Sequence, residues 1–134
     1  VQERFFHIEF FQTAPGAYTA LEVNMRPPGG FTTDMFNYAC DMDIYRVWAN
    51  LLVDGRANLD FQRRYHCCYA SRKNNRRYVH AHEDILARYG AFMVQVASVP
   101  GVFSSALGDV GYIFRSERLD DIDEITRFIH ATEG

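Results

Sequence analysis

Residues 6–30 read FHIEFFQTAPGAYTALEVNMRPPGG, two apolar runs of period two on either side of Pro15-Gly16. That alternation leaves the segment little choice but an antiparallel hairpin. Successive strand residues point to opposite faces, so Phe6, Ile8 and Phe10 share one face and Leu21, Val23 and Met25 share the face of the partner strand. A turn over Ala14-Pro15-Gly16-Ala17 pairs Thr13 with Tyr18, Phe10 with Leu21 and Ile8 with Val23. A one-residue slip would turn one apolar set to the other side, so the pattern itself selects the register. The six apolar residues are the expected core face. The expected strands are Arg4–Gln12 and Tyr18–Met25.

The same register puts Glu9 directly opposite Glu22, although cross-strand neighbours stand only about 4.5–5.5 Å apart and like charges there repel. His7 and Asn24 oppose each other one step along, and Arg26 continues the row toward Pro27-Pro28-Gly29-Gly30. An amphipathic hairpin that merely faced water would interleave lysine with glutamate. Two hard carboxylates with an amide oxygen suit Mg²⁺ or Mn²⁺, which take carboxylates together with substrate phosphates. A guanidinium beside them suits a phosphate oxygen.

The rest of the chain sets bounds on these readings. Its 134 residues, 48% hydrophobic and 15% aromatic, suffice for one domain with a core. A net charge of −3 gives no general attraction to nucleic acid or to a membrane surface. No apolar run approaches the roughly 18–20 residues of a membrane span. The basic stretch Arg72–Arg77 (RKNNRR) reads as a solvated turn, with Asn74-Asn75 suited to a type I′ geometry. Cys40, Cys67 and Cys68 have neither disulfide nor metal-knuckle spacing and read as free thiols of a cytoplasmic protein. His66, His80 and His82 have no recognisable zinc spacing, Ser104-Ser105 lacks a nucleophile-elbow context, and the glycines around Asp109 are not spaced for a dinucleotide.

Further elements follow from period and punctuation. Thr32 or Thr33 is the expected cap of a helix through Met35, Tyr38 and Ala39, with a break near Asp41. A second helix carries the stripe Ile44, Val47, Trp48, Leu51 and Leu52 and stops at Gly55. Strands are expected at Arg64–Ser71, Tyr78–Ala81, Ala91–Ser98 and Val110–Arg115. Helices are expected at Glu83–Tyr89 and at Asp121–Ala131, the latter capped by Asp120 with Ile122, Ile125, Phe128 and Ile129 inward. The order has no strict βαβ rhythm, so the expected class is α+β, an antiparallel sheet with flanking helices.

The pairing of FHIEFF with LEVNMRPPGG resembles the metal-binding end of the ATP-grasp ligases, above all the L-amino acid and related carboxylate–amine ligases, with biotin carboxylase more distant. The likeness runs from Phe6 to about Ala49. It implies that Glu9 and Glu22 bridge magnesium, that Asn24 adds an amide ligand, and that Arg26 steadies the transferring phosphoryl group. Gly29 and Gly30 resemble the loop that approaches the carboxylate substrate. Residues 1–55 would be the metal-binding hairpin and helices of an ATP-grasp C-terminal subdomain, and 56–134 a trailing α+β module of the same domain.

The resemblance implies an ATP- and Mg²⁺-dependent (or Mn²⁺-dependent) ligase that forms an acyl phosphate from a small carboxylate. A glycine-rich phosphate loop and nucleotide-contacting lysines are absent from these residues, and the chain opens on Val1, so a C-terminal portion, inactive alone, is expected. Apolar surface left without its cover would favour a homo-oligomer. The alternative reading is a non-catalytic interaction or dimerisation module on the same closing fold.

Overall fold

The computed structural model describes residues 3–57 and 59–133. It is α+β, with a two-stranded and a three-stranded antiparallel sheet. The chain divides into two compact units, Val1–Thr33 with Asp43–Asp60, and Asp34–Met42 with Phe61–Gly134.

The first unit holds strands β1 (His7–Ala14) and β2 (Ala17–Asn24) and helix α2 (Ile44–Asp54). The hairpin turns at Gly16, whose φ of 78° lies where a side chain would strain the backbone. His7, Ile8 and Glu9 pair with Asn24, Val23 and Glu22, as the alternation requires. Beyond Glu9 the ladder shifts by one. Phe10 faces Ala20, not Leu21, and Gln12, not Thr13, faces Tyr18. A bulge at Leu21 absorbs the extra residue, and a second irregularity before Ala14 restores the count at the turn. The expected apolar core face is not covered: Phe6, Ile8, Phe10, Val23 and Met25 are 46–66% exposed. Period two fixes which residues share a face, but it does not say which face finds a partner.

Helix α2 begins where Asp43 accepts a hydrogen bond from the Arg46 amide at 3.0 Å, and it ends at left-handed Gly55, whose N–H reaches Leu51 O at 3.0 Å. Among the described residues of this unit, Pro27, Ile44 and Leu51 are the buried apolar side chains.

The second unit contains most of helix α1 (Thr32–Cys40), strand β3 (His66–Arg72), helix α3 (His82–Tyr89), strand β4 (Met93–Ser98), the single turn α4 (Ser104–Leu107), strand β5 (Val110–Ser116) and helix α5 (Leu119–His130). Strand β5 lies central, antiparallel to both β3 and β4. Tyr112 and Phe114 of β5 pack with Ala70, Ile85, Tyr89, Ile122, Ile125 and Ile129, so α3 and α5 cover one sheet face. The spacing of Ile122, Ile125 and Ile129 predicts that inward stripe. On the other side Tyr38 Oη donates to Gln95 Oε1 at 3.0 Å, and Arg115 Nη1 donates to Tyr38 O and to Asp41 Oδ1. Asp41 breaks the helical run with φ 48°.

Four local expectations change. Thr33 Oγ1 donates to Pro28 O at 2.8 Å instead of capping α1. Tyr78–Ala81 is no return strand; Tyr78 forms an isolated bridge with Thr132 beyond α5, because Arg72 turns the chain toward the end of that helix. Asp41 is the non-glycine residue of positive φ among those described, so Asn74-Asn75 form no type I′ turn. At α5 the helix starts two residues early, and Ser116 Oγ, donating to Asp121 Oδ2 and accepting from the Arg118 amide, organises its entry in place of Asp120.

Candidate metal centre

The hairpin ladder sets His7 opposite Asn24 and Glu9 opposite Glu22. Alternation along each strand aims all four side chains to one side. His7 Nε2 lies 3.2 Å from Glu9 Oε1, and Asn24 Nδ2 donates to Glu22 Oε1 at 2.7 Å. One ligand atom each from His7, Glu9 and Glu22 falls within 4.8 Å of the others. A cation bound at about 2.1 Å has neighbouring ligands about 3.0 Å apart and opposite ones about 4.2 Å apart. The 4.8 Å spread is wider than that, so the three groups would have to draw together to share one small divalent ion.

Two apposed carboxylates repel across the ladder; His7 stands beside Glu9 on one strand, and Asn24 donates to Glu22 on the other. His7 Nδ1 is buried and has no hydrogen-bond partner. The bulge begins directly after Glu9, where the ladder's change of register ends the polar row. Bulges of this kind re-aim side chains next to functional positions.

The amide of Asn24 meets Glu22 with its NH₂, because an ionised carboxylate accepts and cannot donate. That bond holds Glu22 and engages the amide nitrogen, not the amide oxygen expected as a ligand. His7 is the third member of the cluster, and its place opposite Asn24 on the polar face is the signal that the strand pattern carries for it. Arg26 is exposed, and its Nη1 donates to Pro27 O at 3.0 Å, so the guanidinium folds back on its own turn. Gly29 has open space where a Cβ would stand, and Gly30 takes φ 62°. The bond from Thr33 to Pro28 O ties this loop to the first turn of α1.

Other candidate groups serve packing. His80 stacks on Phe128 at 3.6 Å, and His82 Nδ1 meets Tyr112 Oη at 2.9 Å. His66, His80 and His82 form no ligand cluster among the described residues. In the basic stretch, Lys73 Nζ donates to Ser105 O and the Asn74 amide to Asp109 Oδ2, so the turn is fastened to the β4–β5 connection. Burial and the adjacent Cys68 push the Cys67 thiol up to about 11, which leaves it inert at neutral pH. No family model, curated protein or solved structure among those compared matches the chain.

Proposed function

We propose that this chain is the magnesium-binding C-terminal portion of an ATP-dependent carboxylate–amine ligase of the ATP-grasp kind. The observation that supports it is the cross-strand pair Glu9–Glu22, flanked by His7 and Asn24, on a hairpin that runs into Arg26 and Pro27-Pro28-Gly29-Gly30. A bound Mg²⁺ or Mn²⁺ supplies positive charge against phosphate oxygens. Glu9 and Glu22 hold the ion, and Asn24 keeps Glu22 turned toward it. Arg26, released from Pro27 O, is within the same row for a phosphoryl oxygen, and the amides around Gly29 and Gly30 can approach a substrate carboxylate unobstructed by side chains. The reaction class is formation of an acyl phosphate, then attack by an amine. Free thiols at Cys40, Cys67 and Cys68 suit the cytoplasm, where ATP is supplied.

Calorimetric or spin-resonance titration with Mn²⁺ tests the centre. The chain should bind one ion, and Glu22→Gln, which keeps side-chain volume and removes charge, should weaken binding roughly tenfold to a hundredfold. Equal affinity in both proteins would sink the assignment. A second reading, a non-catalytic interaction module, is supported by the uncovered apolar face of the hairpin. It gains if no ion binds.

A further inference from the structure

Unit 1 is poorly provided with a core of its own. Among its described residues the buried apolar side chains are Pro27, Ile44 and Leu51, whereas Phe6, Ile8, Phe10, Val23 and Met25 stand 46–66% exposed, as does Leu21 in the bulge at 55%. A lone two-stranded hairpin is at best marginally stable in water and needs a further strand or a covered face. The cover must come from somewhere.

We propose that the apolar face of the β1–β2 hairpin is the contact surface of a two-fold homodimer in which two hairpins pack face to face. The area is adequate. A large apolar side chain exposes about 200 Å² when free, so six residues near half exposure present about 600 Å² per copy. Two copies then bury about 1,200 Å², the lower bound for a specific interface of roughly 1,200–2,000 Å². Charge selects this face for self-pairing. None of its side chains is charged, so a second copy meets no like charge, and two-fold packing needs only a self-complementary surface. The opposite face carries Glu9 and Glu22, which would repel their own copy. Face-to-face sheets stack about 10 Å apart, and the carboxylate row stays outward on both copies. The dimer therefore holds whether or not the metal reading does.

Sedimentation equilibrium of the full chain from about 1 to 100 µM tests the proposal. The expected species is a dimer that dissociates on dilution. Val23→Asp, at the middle of the face, should weaken dimerisation by at least about a hundredfold. Val53→Asp, on an 83% exposed side chain of α2, should leave it unchanged. Should Val23→Asp fail to fold, amide exchange of the unaltered chain decides: residues 7–24 should gain protection as concentration rises through the dissociation constant. A monomer at 100 µM, an assembly insensitive to Val23→Asp, or hairpin exchange independent of concentration would each overturn the proposal. Mn²⁺ affinity, read separately, does not bear on these outcomes.

Discussion

At the residue scale, chemistry was most legible where a side chain's position follows from strand period alone. Glu9 and Glu22 face each other as period two predicts, because the register shift at Leu21 is cancelled by the second irregularity before Ala14. The role of His7 was harder to read, since a histidine next to a carboxylate is equally a ligand and an ion-pair partner, and only the 3.2 Å approach brings it into the cluster. Cys67 offers a sharp test of environment. Its raised pKa means that the folded state keeps the proton while the unfolded thiol, of ordinary value 9.0, has lost it. The contribution to stability is whole below pH 9 and is lost as pH rises toward 11. At pH 8 the thiolate fraction should be about a hundredfold below that of a free cysteine, and iodoacetamide should label Cys67 correspondingly slowly, with the rate climbing toward pH 11. Labelling at the free-thiol rate would show the site to be open.

At the element scale, helices were read with fewer errors than strands. The stripe of α2 carries its own cap and stop, Asp43 and Gly55, so its limits are local information. The bulge at Leu21 and the lost strand after Arg72 are not local. The first depends on how two strands accommodate twist, and the second on Arg72, whose Nε and Nη1 donate at 2.7 Å to Ile129 O and His80 O. Nothing in RKNNRR announces a buried guanidinium at its head. Packing within the three-stranded sheet makes another demand on sequence at Gly111. A Cβ there would stand 2.4 Å from Tyr69 Cε2, and that ring is held by Tyr69 Oη donating to Leu107 O at 2.6 Å. Gly111→Ala should therefore cost about 2 kcal/mol in urea unfolding, and in a Tyr69→Ala background the added cost should fall below about 0.5 kcal/mol. An undiminished cost in the double variant would locate the strain elsewhere.

At the scale of the whole molecule, the order of strands and helices set the α+β class, but the uncovered hairpin face was invisible to it, because an amphipathic pattern records a buried side without recording its partner. The reading as part of a ligase predicts incompleteness. Glu9, Glu22 and His7 would fill about half of an octahedral shell. Lys73 is the sequence's single lysine, and its Nζ is engaged with Ser105 O. Little remains to offset the entropy lost in fixing a flexible nucleotide. Calorimetry of the chain with Mg·ATP should show no binding in the micromolar range and no hydrolysis; micromolar binding would mean that the site is complete in these residues.

The break at Asp41 has a consequence for the order in which the molecule is made. Residues 34–42 belong to the second unit, yet they are flanked on both sides by segments of the first. Their partners, Gln95 and Arg115, are synthesised long afterwards. During translation the first unit's segments can be complete while α1 still lacks the sheet it will lie on, and that helix is too short, at nine residues, to persist unaided. Neither unit is a continuous stretch of polypeptide that a single cleavage could release whole. A nick after Asp60 leaves Arg115 without the covalent tether to its two acceptors, Tyr38 O and Asp41, so that one cut divides the second unit between two fragments.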